Sequence, residues 1–572
     1  MYSGLVQAIP VPEESEKGKI LTLKTGYVYW YTKRWYDSDK RRTLDDRVLI
    51  GKLTEDDKSK MYPNRKYDEI FGSVDPQVSQ LRDFYSSKNR QQAGKFHFTI
   101  TFGSYIALKT ACQRVGCLDA LQRAFPTLWK KIFAVCIHSI IEEDSTAQKF
   151  PGWQFENYTG LNHLLSDSEI SRLFNEIEEK SSDINVFFEL FSSNYRQIFP
   201  SKDRQVIAYD STNQTSECKN DARAKKGKSK DNEKHPIINT SLYVDEKTGI
   251  PQWYEHYDGN VLDKTECPYA IAKAKELGFD KILISVDRGY YSEDVILKLL
   301  NMNIGFCMII PETTDLTYNI IQKYKNEIYL HDLHYIQDED VYGIQTVTKI
   351  RDKEFFAYVF YDDRLAFDVR EKVHSQINYY YNKASERTRF TQNLQKVYLS
   401  KGLLIAKTKE RLPDGKNFTI DRDHQFIEKQ YQDAGYFVGL SNICDTAMNI
   451  IKIIRGRDIV EKNFMRIKSH FSLSRVHTHK EGTHNGKMFV IFIALITLGA
   501  FIHFIKPKLD EKSSITLPLV ILELNKYKIQ EKKDGFWMPC YAMNKDQKDI
   551  FKLLSLTEDE VEGEISKLKF NI

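Results

Sequence analysis

Residues 204–213 read RQVIAYDSTN. Val206, Ile207, Ala208 and Tyr209 form a short apolar run, and the acid Asp210 closes it. A run of this length bounded by polar residues reads as a buried strand. Working outward, HPIINTSLYVD (235–245) and GIPQWYEHYDGN (249–260) read as two more strands, with Gly249 in their connection. DKTECPYAIAKAKELGF (263–279) has helical character, and KILISVDRGYYS (281–292) is an apolar strand ending in a second acid, Asp287. A helix at EDVILKLLNMN (293–303) and a strand at IGFCMII (304–310) follow. Three strands, helix, strand, helix, strand imply an α/β fold in which helices cover a mixed sheet.

The texture on either side divides the chain. Residues 1–90 read as a basic, strand-rich region in which GYVYWYTKRWYD (26–37) alternates at strand period. Between Lys24 and Lys52 stand eight bases and four acids, a local excess equal to the +4 of the whole chain. Aromatics interleaved with bases suit nucleic acid, since rings stack and cations meet phosphates. A small sheet with a solvated face explains the pattern equally well. Residues 91–200 are helical, with a stop at Gly116, and read as a DNA-binding or arm module or as a plain bundle. The first half of the α/β core is 201–310. A Tyr- and Lys-rich segment, 311–433, interrupts it with strand-like pieces such as EFFAYVFYD (354–362) and a long polar helix around 369–390. The core resumes over 434–510 with the strand AGYFVGLSN (434–442), and a charged tail covers 511–572 with one helical piece at 548–568.

Composition bounds the function classes. With 41% apolar and 13% aromatic residues among 572, the chain can bury a large core. Its 83 bases and 79 acids nearly cancel, so any affinity for nucleic acid rests on local patches. The eight cysteines show no CxxC spacing, which argues against a zinc site and fits a reducing, cytoplasmic setting. The start lacks the basic and apolar regions of a signal peptide. Met488–Ile505 is 18 residues of nearly unbroken apolar sequence, at the threshold for a membrane span. Thr497, Gly499, His503 and the lack of a partner span favour a helix buried on all sides, with no membrane.

The chemistry rests on acids. Asp210 and Asp287 each end an apolar strand, and ligands of helix-flanked sheets bind at strand ends. Together they form a hard-oxygen site suited to Mg2+ or Mn2+. Two such ions, roughly 3.5–4 Å apart, can activate water and stabilise a leaving oxygen in phosphoryl transfer, which calls for about three carboxylates. A single strand-end Asp is more often a turn or cap residue. The third candidate lies in RGRDIVEKNFMRIKSH (455–470), where Glu461 has Arg457 four residues before it and Lys468 seven after. On one helix these share a face. The plain reading is a salt-bridged surface helix; the functional one is a metal ligand with DNA-phosphate clamps beside it. Glu217 is available behind Asp210 as a supporting acid. KGKSK (226–230) looks like the end of a phosphate-binding loop, but Ala222 stands where the first glycine is required. With seven bases and three acids between Lys219 and Lys234, it reads as a basic loop near Asp210, touching DNA or simply mobile.

These residues resemble the DDE transposases of bacterial insertion sequences, in the subgroup marked by Tyr-x2-Arg-x3-Glu-x6-Lys. Arg457, Glu461 and Lys468 match that spacing, and Ile454 replaces the tyrosine. YDSTNQTSE (209–217), GIPQWYEHYDGNVLDKT (249–265) and SVDRGYYS (285–292) resemble the segments around the first two acids. The 174 residues from Asp287 to Glu461 fit the subgroup's β-rich insertion, and HTHKEGTHNGKMFVIFIAL (477–495) resembles its post-catalytic segment. YVYWYTKRWYDSDKRRTLDDRVLIGKL (27–53) is similar to the N-terminal region of one branch, so the likeness covers roughly 1–510.

The resemblance implies a ribonuclease-H-like core interrupted by an insertion domain, with an N-terminal DNA-binding region. It implies a metal-dependent polynucleotidyl transferase in which Asp210, Asp287 and Glu461 are catalytic and hold two Mg2+ or Mn2+ ions. Arg457 and Lys468 would bind DNA phosphates. The enzyme would cut DNA at the terminal inverted repeats, in many relatives through a hairpin, and join the 3′-OH to target DNA, acting as a homodimer in a synaptic complex. Two other classes stay open: a catalytically silent, sequence-specific DNA-binding protein derived from a transposase, and a carboxylate-pair hydrolase such as a glycosidase.

Overall fold

The computed structural model describes residues 9–71 and 99–568, apart from 14–17, 24, 38–41, 55–56, 202–203, 217, 219, 231–233, 277–281, 330, 409–411, 413–415, 479, 512–514 and 532–535. Glu217 and the bases Lys24, Lys40 and Arg41 lie outside the described residues.

Among the described residues, ten strands form one mixed sheet. In chain order they are β1 (Gln205–Ser216), β2 (Ile237–Asp245), β3 (Pro251–Asp258), β4 (Ile282–Val286), β5 (Gly305–Ile310), β6 (Tyr335–Ile336), β7 (Val341–Ile350), β8 (Lys353–Tyr361), β9 (Tyr436–Ser441) and β10 (Arg475–Val476). The spatial order is β6-β7-β8-β9-β5-β4-β1-β2-β3, with β10 beside the end of β1. β4 runs parallel to both β1 and β5, while β1-β2-β3 is an antiparallel meander. Every residue of β2 and β4 is buried, as expected of strands covered on both faces. The helices that matter for the site are α1 (Asp263–Glu276), α2 (Glu293–Asn301), α3 (Asp363–Ser385), α4 (Ala447–Gly456), α5 (Asp458–Met465) and α6 (Glu481–Glu511).

Two features of the sheet differ from the sequence reading. β1 does not end at Asp210 but runs on to Ser216, because β2 pairs with it as far as Thr215. Most of the strands inside 311–433 do not form a sheet of their own: β6, β7 and β8 extend the core sheet through β9, and the buried Ala357–Tyr361 of β8 pack into it. α3, the hairpin Leu404–Thr408 with Phe418–Arg422, and the helix His424–Gln432 gather instead around Val373, Ile377, Leu403, Leu404 and Ile427.

α6 is long and apolar enough to cross a membrane by length and composition, and 83% of its most apolar window is buried inside the protein. Its apolar side chains are buried all round from Met488 to Phe501, as in a core helix and not a one-sided surface helix, while Ile502 and Phe504 are half-buried. Each fully buried Leu, Ile or Phe contributes about 1.5–3 kcal/mol, so α6 is a main source of cohesion. It packs on the helices Gly103–Arg114, Trp129–Ile141 and Asp167–Glu179 and on β3, which joins the helical region and the sheet in one core. Phe492 meets Tyr254 of β3 at 4.9 Å, and Phe188 of the helix Ser181–Ile198 lies tilted against Trp253 at 4.1 Å. Gly116, at φ +76°, makes the sharp turn from the helix Gly103–Arg114 into the helix Cys117–Ala124.

The N-terminal strands form a separate five-stranded sheet over Val28, Trp30, Ile50 and Met61. Its long ribbon, Tyr27–Asp37 with Arg42–Leu53, leaves Trp35 and Tyr36 exposed and sets Arg47 over Tyr29 and Lys52 over Tyr27. The tail holds more structure than one helix. It supplies Leu517–Asn525, a small sheet with Thr99–Thr101, and two capped helices, Lys545–Leu553 and Glu558–Ser566. A capping box at Thr557 starts the second of these, which divides the piece read as continuous.

Candidate active site

Strand register brings the first two acids together. In the parallel pair of β1 and β4, Ser285 lies beside Ala208. Two residues further along each chain come Asp287 and Asp210, level with one another. β4 ends at Val286, so beyond Ala208 no described strand pairs with that side of β1 until β10 meets Thr215. Asp210 therefore sits in mid-strand at an open edge. Asp287 leaves the sheet as the N-cap of the short turn Arg288–Tyr290.

The third acid comes from above. α5 packs on β1 and β2 and carries Glu461. The segment 455–470 is not one regular helix: α4 ends at Gly456, Arg457 is the junction, and α5 begins at Asp458. A Cβ at position 456 would overlap the Glu246 carboxylate, so the junction lies close against the end of β2. From there the Arg457 guanidinium reaches all three acids. Nη2 is 2.7 Å from Glu461 Oε1 and 3.7 Å from Asp287 Oδ1, and Nη1 is 3.4 Å from Asp210 Oδ2. The four-residue spacing of Arg457 and Glu461 survives the junction. The phase of Lys468 does not, because Arg466–His470 form a π-helical turn, which is wider than the α-helix assumed in counting seven residues along one face. Lys468 is half-buried in that turn.

Asp210 is the most enclosed of the three. Ser211 N–H donates to its Oδ1 at 2.7 Å, and the Tyr290 hydroxyl donates to the same oxygen at 3.2 Å. Tyr290 also reaches Ser211 Oγ at 2.8 Å, and its ring lies against buried Tyr209. Burial pushes the Asp210 carboxyl up from its ordinary value. Lys230, the Ser211 amide and Arg457 oppose that shift, and the nearby charge of Asp287 adds to it. Lys230 donates to the Ser211 carbonyl and, at 3.1 Å, to its hydroxyl, and pairs with Asp263 of α1 at 3.3 Å. Tyr257 donates to Asp263 at 2.6 Å.

Tyr290, Lys230, Ser211 and Asp263 are neighbours of the site that the sequence reading did not single out. The tyrosine pair after Asp287 was a usable signal. The contact between Lys230 and Ser211, 19 residues apart, was not. Ile454, in the place of the expected tyrosine, packs downward: its Cδ1 would lie 3.0 Å from a Cβ at Gly439 of β9. That position faces the sheet and not the acids.

The donor set bears on a metal. The three carboxylates converge on a cation, Arg457, and all their donors are hard oxygens, which suits Mg2+ or Mn2+. As they stand, no group of three or more His, Cys, Asp or Glu among the described residues is arranged to hold a metal ion. The acids thus fit a divalent ion in kind, while Arg457 lies against all three of them.

Comparison with known proteins bears on the same segment. The family model described as Transposase DDE domain matches residues 201–497, which spans Asp210, Asp287 and Glu461. No curated protein matches this chain. Among solved structures, the chain is similar to a piggyBac transposase in a synaptic complex with hairpin DNA, at 8% identity and a TM-score of 0.37, over 83% of this chain and 87% of that one.

Proposed function

Because this chain belongs to the DDE-domain transposase family, whose members carry out DNA transposition, we propose that it is a metal-dependent nuclease and strand transferase acting on the ends of a bacterial insertion sequence. The observation that carries the reading is the convergence of Asp210, Asp287 and Glu461, from three distant segments, on one cationic centre. In this reading the core is ribonuclease-H-like, and the three acids hold two Mg2+ or Mn2+ ions. When bound, the ions lower the pKa of water or of a DNA 3′-OH and stabilise the leaving oxygen.

The chain's own residues do the rest. Tyr290 and the Ser211 amide fix the Asp210 carboxylate so that one oxygen stays turned toward the open edge of β1. Asp287 approaches from the adjacent strand end and Glu461 from α5 above. Arg457 balances the three negative charges while no other cation is there. Released from them, it holds a DNA phosphate, as Lys468 does from the following turn. This positions the scissile phosphodiester for in-line attack. The exposed N-terminal ribbon, with Trp35 and Tyr36 at its outer end, and the helices of 91–200 bind the terminal inverted repeats. Two copies bridge the two ends in the cytoplasm.

The test is direct. Full-length protein is incubated with DNA carrying the inverted repeats that flank its reading frame, with Mg2+, with Mn2+ or with EDTA. Cleavage or joining in metal only, abolished by Asp287→Asn with DNA binding retained, is the expected result. Full activity in EDTA overturns the proposal. Binding without cleavage under every metal condition makes the chain a silent DNA-binding relative.

A further inference from the structure

The connection from β1 to β2 is the most basic stretch near the acids, with seven bases and three acids between Lys219 and Lys234. Its described part is strapped down and not loosely solvated. Asn213, three residues after Asp210, donates to the Lys228 carbonyl at 3.3 Å and accepts from the Lys230 amide at 3.2 Å. Lys225 exchanges backbone hydrogen bonds with Ile237, and Gly259 N–H donates to the Arg223 carbonyl at 3.0 Å. Gly227 lies so close to Gly259 that a Cβ there would overlap the Gly259 carbonyl oxygen. At the base of the loop, fully buried Asp221 holds Arg223 through both carboxylate oxygens, at 3.0 and 2.8 Å, and lies 3.5 Å from His484 of α6.

The place where the loop is tied matters. Side chains alternate along a strand, so Ser211 and Asn213 face away from Asp210. The loop therefore flanks the open edge of β1 from one face of the sheet, while Arg457 and Glu461 flank it from the other. A chain of phosphates lying across that edge would meet both. The exposed Lys225, Lys226 and Lys228 make no ion pair with any described residue, so their charges face solvent on a fixed backbone. A fixed array of uncompensated cations beside a phosphodiester-cutting site is what counter-ion release rewards.

We propose that residues 225–230 form a binding surface for the DNA sugar–phosphate backbone, with Lys225, Lys226 and Lys228 contacting phosphates of the strand that enters the carboxylate site. Lys230, tied to Ser211 and Asp263, anchors the surface to the site. The surface reads no bases. This inference rests on the proposed reading of the site as a DNA nuclease.

The experiment measures DNA affinity of the full chain against salt concentration. It uses two duplexes, one carrying the element end and one scrambled, and the triple variant K225A/K226A/K228A, which leaves Lys230 and its partners intact. Each lost phosphate contact lowers the slope of log affinity on log salt by about 0.9, so the expected fall is roughly 2–3 on both duplexes. The same loss of charge on the C-terminal helix, K545A/K548A/K552A, leaves the slope unchanged, and K225R/K226R/K228R restores it. An unchanged slope in the triple alanine variant overturns the proposal, as does a fall confined to the end-bearing duplex. Failure of the parent protein to cleave with any metal sinks the nuclease reading instead, and the two failures are told apart by running both assays on one preparation.

Discussion

Replacing Arg457 with glutamine removes the cation that, among the described residues, touches all three acids. The size of the effect follows from their exposure. Glu461 and Asp287 are 57% and 42% exposed in their side chains, so each pair contributes about 0.2–1 kcal/mol. Asp210 is only 17% exposed, and a buried carboxylate stripped of its partner costs more, up to about 3–5 kcal/mol. Its bonds from Tyr290 and Ser211 remain, which brings the whole loss to about 2–3 kcal/mol. For a chain of 572 residues that lowers the melting temperature by roughly 2 °C. Linkage then gives the second half of the prediction. If a divalent ion binds the acids only by displacing Arg457, removing Arg457 strengthens metal binding by the same free energy, about 30–150-fold. The assay is thermal melting of the full chain without DNA across a Mn2+ titration. The variant is expected to start lower and to gain more from metal than the parent. A variant that melts like the parent, or that binds Mn2+ more weakly, would refute this account of Arg457.

Three further outcomes are expected. Tyr290→Phe removes the hydroxyl contact to the Asp210 carboxylate and the one to Ser211 Oγ, and at about 1.5–3 kcal/mol for a hydrogen bond to a charged group the cleavage rate should fall roughly 10–100-fold. Mn2+ affinity should weaken in parallel, whereas an unaltered affinity would make Tyr290 a mere packing residue. His138 lies between Phe150 and Trp153, and burial pushes its pKa down to about 4. A depressed value means its contribution is present above 6.5 and lost as pH falls toward 4, a loss of about 3 kcal/mol that His138→Phe should abolish in pH-dependent melting. Ile454→Tyr forces a larger ring against Gly439, so it should destabilise the fold by about 1–3 kcal/mol without raising cleavage; a gain in activity would show that the position serves the site after all.

How much of this was legible in the sequence depended on whether the cause was local. The apolar runs before Asp210 and Asp287 are local, and so is the four-residue spacing of Arg457 and Glu461; each appears in the structure as a strand, a strand end and a contact at 2.7 Å. The continuation of β1 through the polar run Ser211–Ser216 was not legible, because β2 and β10 bury and pair that run from outside it. The same holds for β7 and β8, whose membership of the core sheet depends on pairing with β9. The π-turn at Arg466–His470 has no signature in residue spacing, so the phase of Lys468 could not be counted out. The ordering of the loop after β1 rests on Asn213, Gly227 and Gly259, three residues whose approach only the folded meander creates.

The central claim is that Asp210, Asp287 and Glu461 form one divalent-metal site once Arg457 gives way. Anomalous diffraction from crystals of the full chain equilibrated with Mn2+ tests it most directly. The account predicts anomalous peaks within bonding distance of these three carboxylates, with Arg457 displaced from them. Saturating Mn2+ that leaves no peak there, with Arg457 still on all three acids, would contradict it.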